Sequence, residues 1–259
     1  MLMRRANLAA LADGDLTLGG AVRPLNRLVD MYNVPEMRRQ ERTESGLVFG
    51  AALTLREVVA TSDLLPELHR TLTRAVPRQM WDSLTLDETL RGRHHELLRE
   101  WWAALLALNA SVEWHELDGY EPCWEEFERL SYTGHLDNGL IIALCIPALH
   151  PGQRLKVAYE APAAGEPALV AAAALVTWND DDTVESVRLA VCGASTEPIV
   201  PLLDWLRGSR LHRHDIASVV EAISEQFALD RTRPGLYSDR RQVWLKRCVT
   251  QVLAAASAP

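Results

Sequence analysis

The 259-residue sequence predicts an α+β protein built from two packed parts. Three observations carry that prediction. Helix-like and strand-like segments alternate as far as Pro147, three strand-like runs then follow one another between Arg154 and Val191, and the remainder is helical in pattern. Pro147–Pro151 marks the boundary, dividing the chain into residues 1–148 and 149–259. With 48% hydrophobic and 24% charged residues, the composition is that of a soluble chain able to bury a sizeable core.

In the first part, Ala6–Ala12 reads as the end of a helix and Asp13-Gly14-Asp15 as a turn. Leu16–Leu18 reads as a strand running into Gly19-Gly20, and Arg27–Met31 as a second strand. Gly46–Gly50 is a short apolar strand bounded by glycines. Thr54 and Glu57 have the spacing of a capping box, in which hydroxyl and carboxylate each satisfy an amide at the helix start; the helix should run to about Ala60. Ser62-Asp63 opens another helix through Leu64, Leu65, Leu68 and Leu72 that stops before Pro77. From Leu84 to Asn109, leucines and tryptophans recur at three- and four-residue spacing, the strongest helical pattern in the chain, weakened only around Gly92. A strand at Ser111–Leu117, a short acidic helix around Trp124–Leu130 and a strand at Leu140–Ile146 follow.

In the second part, Arg154–Tyr159, Leu169–Trp178 and Val184–Val191 read as strands, the last two joined as a hairpin by the turn residues Asn179–Asp182. Helices at Pro198–Arg207, Asp215–Phe227 and Ser238–Ala256 complete the chain.

Charge and cysteine usage exclude several function classes. The chain has 27 basic and 35 acidic side chains, a net charge of −8, which argues against a nucleic-acid partner because phosphate contacts need clustered cations. The longest apolar run, Ala168–Val176, is too short to cross a bilayer, and no signal-peptide pattern opens the chain. Cys123, Cys145, Cys192 and Cys248 are too widely spaced for a zinc ribbon or an iron–sulfur site and read as reduced thiols. The expectation is a cytoplasmic protein with no metal, no nucleic-acid partner and no membrane partner. No GxSxG, HExxH, P-loop or Cys–His arrangement is present.

Several separated segments nevertheless share an order. They are Leu28-Val29-Asp30 with Val34-Pro35-Glu36-Met37; Gly46–Ala51 with Thr54, Glu57 and Ser62-Asp63-Leu64; Ala104–Val112; and Gly139–Pro147. In the last third come Lys156-Val157-Ala158, the run Ala168–Leu175, Val187–Ala194 with Pro198, and Ser238–Arg241. In this order the segments resemble the FAD-binding (medium) subunit of molybdenum hydroxylases, the carbon-monoxide-dehydrogenase and xanthine-dehydrogenase flavoprotein type, over nearly the whole chain. The resemblance implies FAD-binding-type α/β subdomains in 1–148, with the first cut short at its N-terminus. It implies a C-terminal domain of a three-stranded antiparallel sheet with helices in 149–259.

The family holds the FAD pyrophosphate in two glycine-rich turns, Ala-Gly-Gly-Thr-Asp and Thr-Ile-Gly-Gly-Asn, where glycines let backbone N–H groups approach the diphosphate. Gly19-Gly20 stands at the first, followed by Ala21-Val22. The second is replaced by Trp81–Leu90, with Asp82, Asp87 and Glu88 where phosphates would lie. Glu160 falls near the place of the family's arginine after Lys156.

These departures lead to the expectation of a flavoprotein scaffold without its cofactor. Its vacated cleft would take a small, largely apolar organic molecule and promote a non-redox biosynthetic step such as cyclisation, isomerisation or dehydration. On that reading His94 and His95 are candidate acid–base groups with Asp87, Arg91 or Glu100 as orienting partner, since imidazole titrates near neutrality. Trp81, Trp101, Trp102 and Lys156 would line the pocket, and Gly19 and Gly20 would make any remaining phosphate contact. The plainer readings stand beside these: an exposed helix face for the histidines, core packing for the tryptophans and a tight turn for the glycines. His212, His214 and Asp215 cluster in sequence, with Asp215 explained as a helix N-cap rather than a metal ligand. The alternative function is a working FAD-dependent oxidoreductase or electron-transfer subunit with molybdopterin and iron–sulfur partner subunits. A non-catalytic docking subunit is a third reading, and homo-oligomerisation remains open.

Overall fold

The computed structural model describes residues 31–91, 97–116, 121–133, 136, 139–163, 166–194, 198–229 and 239–257. The helix expected at Ala6–Ala12, the strand at Leu16–Leu18 and all but the last residue of the strand at Arg27–Met31 lie outside these residues. Met31–Asn33 is a 3-10 turn.

In chain order the helices are α1 (Pro35–Arg38), α2 (Leu55–Val59), α3 (Pro66–Ala75), α4 (Leu86–Leu90), α5 (Arg99–Ala107), α6 (Phe127–Thr133), α7 (Arg213–Leu229) and α8 (Asp239–Ser257). The strands are β1 (Gln40–Thr43), β2 (Gly46–Gly50), β3 (Ser111–Glu116), β4 (Cys123–Glu126), β5 (Gly139–Pro147), β6 (Gln153–Glu160), β7 (Val170–Trp178) and β8 (Val184–Cys192). They form two compact units. The first contains the described residues of Met1–Leu64, Val76–His95 and Ala110–Pro147; the second contains those of Leu65–Ala75, Glu96–Asn109 and Ala148–Pro259.

The first unit is a five-stranded antiparallel sheet in the order β1-β2-β5-β3-β4. β2 and β5 lie inside it and are buried over most of their length, as their continuous apolar runs require. β1 escapes an apolar-alternation reading because all four of its residues, Gln-Glu-Arg-Thr, are exposed. It forms as the hairpin partner of β2 and gives the sheet a charged edge. At the end of β2, Gly50 cannot be replaced, because a Cβ there would run into the Met37 backbone. That close approach lets Gly50 N–H donate to Arg39 O (2.7 Å) and Ala52 N–H to Met37 O (2.8 Å). The acidic segment expected as a helix around Trp124–Leu130 starts instead as β4, paired with β3 from Ser111↔Glu126 to Trp114↔Cys123. It becomes helical only from Phe127.

The second unit holds the three-stranded antiparallel sheet β6-β7-β8 with helices, as the fold class requires. The central strand β7 is rich in alanine and buried on both faces. Val170, Ala172, Ala174 and Val176 share a core with Val219 and Ile223 of α7 and Leu245, Val249 and Leu253 of α8. α5 packs against β6, β7 and β8. Small side chains on the middle strand let helix backbones approach closely, which explains the run Ala171–Ala174. The Leu84–Asn109 pattern resolves into α4 and α5, one in each unit, with an extended residue, Arg91 (φ −81°, ψ 144°), ending the first.

Pro198–Arg207 is not a helix. Ile199 and Val191 exchange two backbone hydrogen bonds of 2.8 Å, and only Asp204–Leu206 turns, as a 3-10 element. Pro198 and Pro201 have no N–H to donate, and Pro201 disfavours a helical Val200. α7 begins at Arg213, earlier than expected, and Asp215 lies inside its first turn rather than at the cap, accepting the His212 N–H at 2.7 Å. Among the described residues no helix is long and apolar enough to cross a membrane.

Candidate functional site

The family-like motifs of the first unit converge on one stretch of backbone. Beyond Gly50 the chain turns through Ala51, Ala52 and Leu53 into Thr54, which caps α2 in a complete capping box with Glu57. The Thr54 N–H donates to the Glu57 carboxylate at 2.8 Å. Arg38 closes the arrangement, donating to the Ala52 carbonyl at 3.0 Å and to Glu57 at 3.1 Å, with its guanidinium 4.5 Å from the Tyr32 ring centroid. The Glu57 carboxyl is held below its usual range: burial opposes ionisation, but the Thr54 amide and Arg38 outweigh it. Thr54 also bridges Thr85, so this turn is joined to the start of α4.

At α4 every amide of the first turn is engaged. Thr85 N–H donates to the Glu88 carboxylate (2.8 Å), Leu86 N–H to Leu53 O (2.8 Å), and Asp87 N–H to Ala51 O (2.9 Å). The Glu88 N–H completes a second capping box on the Thr85 hydroxyl. Asp87 is 4% exposed, and both its oxygens accept from Arg91 Nε, at 2.9 and 2.8 Å. Arg91 in turn donates to the carbonyls of Leu136 and Gly139, the latter at 3.1 Å. The Asp87 carboxylate thus ties α4 to the segment leading into β5.

The other sequence-derived candidates fall in different places. Gly19, Gly20, His94 and His95 lie outside the described residues. Trp81 belongs to the first unit, 7% exposed, with its indole N–H donated to Val76 O at 2.9 Å. Trp101, Trp102 and Lys156 belong to the second. Both tryptophans are buried, and Lys156 Nζ lies 3.4 Å from Glu67. His212 and His214 stand with ring centroids 5.9 Å apart, and His214 Nε2 is 3.1 Å from Asp215. Among the described residues no group of three His, Cys, Asp or Glu side chains is placed to hold a metal. A site residue without a sequence signal is Arg74, part-buried in the second unit, whose Nε donates to buried Glu100 at 2.9 Å while its guanidinium lies 3.6 Å from the Tyr159 ring centroid. Arg74 and Glu100 are far apart in sequence, so no local pattern could have announced it.

The family model described as "FAD binding domain in molybdopterin dehydrogenase" matches residues 16–149, more than half of the chain. The chain belongs to this family. As a member of the molybdopterin-dehydrogenase FAD-binding family it also shares its fold with solved structures. Quinoline 2-oxidoreductase from Pseudomonas putida 86 superimposes with a TM-score of 0.72 at 19% identity, over 88% of this chain and 80% of its own. The Cu,Mo-CO dehydrogenase in its cyanide-inactivated form gives a TM-score of 0.70 at 15% identity, over 91% and 84%. The carbon monoxide dehydrogenase of Hydrogenophaga pseudoflava gives 0.65 at 15% identity, over 86% and 78%. No curated protein sequence gives a significant match.

Membership corrects the expectation of a chain without a cofactor. The family is that of an FAD-binding domain, so the group it points to is FAD. The contrary expectation rests on local departures, at Gly19–Val22, Trp81–Leu90 and Glu160, whereas the match extends over the whole of 16–149. The residues at α4 do not fit a phosphate: their amides are taken by Leu53, Ala51, Thr85 and Glu88, and two carboxylates stand at the helix start. No phosphate contact is assigned to that turn.

Proposed function

We propose that this chain is the flavin-carrying subunit of a molybdenum hydroxylase: it binds FAD and relays electrons alongside a molybdopterin subunit and an iron–sulfur subunit. The observation that supports this reading most is the family match, which takes in both Gly19-Gly20 and the Gly50–Glu57 turn. The fold shared with quinoline 2-oxidoreductase and the CO dehydrogenases supports it further. FAD, when bound, supplies the redox chemistry of its isoalloxazine ring.

Within this reading Gly19-Gly20 is the diphosphate contact, since glycines allow close backbone approach and α4 keeps its amides for itself. The chain's own work on the other side is to hold the Gly50–Leu53 turn rigid through Arg38 and Glu57. The test is reconstitution: the purified chain is incubated with excess FAD, desalted, and its flavin measured by absorbance and by mass spectrometry after denaturation. Retention of one flavin per chain is the expected outcome. A colourless protein, with no molybdopterin or iron–sulfur subunit encoded beside it, would overturn the reading.

A further inference from the structure

A groove of about 710 Å³ runs between α7 and α8 of the second unit. Its floor is apolar, with Ala217 and Val220 on one helix and Ala254 on the other. Its rim carries two cations, Arg213 and Lys246, and two carboxylates, Glu221 and Glu225, all four exposed. Among the described residues none of these four rim charges stands in an ion pair; the pairs His214–Asp215 and Arg247–Glu160 lie elsewhere on the two helices.

The arrangement along α7 is antisymmetric. Residues 213, 217, 220, 221, 224 and 225 recur at helical spacing and share one face. Arg213 stands at one end of that face and Glu225 at the other, twelve residues later, a separation of ~18 Å along a helix rising about 1.5 Å per residue. A second α7 laid antiparallel on the first, about a two-fold axis at the level of residue 219, would set each Arg213 against the partner's Glu225, with the partner's Glu221 one turn nearer the centre, beside Ala217. The two Val220 side chains would then meet near the axis. A face that is its own complement under a two-fold axis is the requirement for an isologous dimer. The net charge of −8 sharpens the point, because it makes two copies repel over most of their surface, whereas this groove is charge-balanced.

We propose that the α7–α8 groove is a docking surface for a second copy of this chain, forming a two-fold dimer with antiparallel α7 helices. This inference is independent of flavin binding. The test measures the mass of the purified full-length chain by sedimentation equilibrium over a micromolar concentration series. The wild type is expected to give twice the chain mass. Arg213→Glu alone, and Glu221→Lys with Glu225→Lys together, each place like charges opposite one another and are expected to weaken the dimer by ~100-fold or more.

Mixing the two variants restores opposite charges at every position, and the mixture is expected to dimerise as the wild type does. Unchanged circular dichroism melting in each variant separates loss of association from loss of fold. A monomeric wild type, a dimer indifferent to both reversals, or a mixture that stays monomeric would each overturn the proposal.

Discussion

Asp87 shows how a single side chain changes its meaning once its partners are known. As a carboxylate beside two histidines it reads as an acid–base partner; in the fold its two oxygens are spent on Arg91, which also holds two backbone carbonyls. Removing one member of a buried ion pair strands the other charge, so Asp87→Ala should lower stability by about 3–5 kcal/mol, read from urea unfolding. A solvated carboxylate would cost well under that. Gly193 is similarly constrained: it sits at φ +84°, and a Cβ there would meet the Leu169 carbonyl and the Arg99 side chain. Gly193→Ala should cost at least ~2 kcal/mol by thermal melting, combining left-handed strain with overpacking.

The buried thiols set a pH dependence at the same scale. Burial pushes Cys192 up to about 12, and Cys248 to about 12 through burial first and then the nearby Glu160 charge, from an ordinary 9.0. Below pH 9.0 both states keep the protons and the contribution is fully present. Between there and about 12 the unfolded chain ionises and the folded chain does not, so stability falls as pH rises. The slope should approach about 1.4 kcal/mol per pH unit for each thiol, and Cys192→Ala should remove one thiol's share. Exposed Cys123 should react first with a thiol reagent on the native protein.

At the scale of the element, two capping boxes with the same grammar sit a β-bridge apart, Thr54 with Glu57 and Thr85 with Glu88. The first was legible from its spacing alone. The second has the same Thr-x-x-Glu spacing but is hidden by a helical pattern that runs on to Asn109, across what are two helices in two units. Thr85→Ala should cost about 1 kcal/mol, as N-cap deletions do, and Thr54→Ala a similar amount.

The strands of the second unit were legible almost residue for residue, because a buried sheet forces apolar runs of strand length between turns. β1 was not, since all its residues face solvent and only pairing with β2 makes it a strand. The Pro198–Arg207 stretch failed for the opposite reason, its leucines mimicking a helix that two prolines forbid.

At the scale of the whole molecule, family membership was carried by the order of motifs rather than by any one of them. The expectation of no cofactor fails because it rests on local departures, chief among them Trp81–Leu90 in place of the second glycine-rich turn, whereas the family match extends over the whole domain. What the fold adds is the reason α4 is a poor phosphate site: its amides already have partners. The chain belongs to an FAD-binding family, and under the function proposed above the diphosphate would be met at Gly19-Gly20 without α4.

The most direct test is FAD titration of three proteins, followed by the quenching of flavin fluorescence: wild type, Gly20→Glu and Glu88→Gln. Wild type and Glu88→Gln should bind one FAD per chain with similar affinity, and Gly20→Glu should lose it. Failure of the wild type to bind FAD would contradict the function, and loss of binding in Glu88→Gln with Gly20→Glu unaffected would contradict the assignment of the phosphate contact.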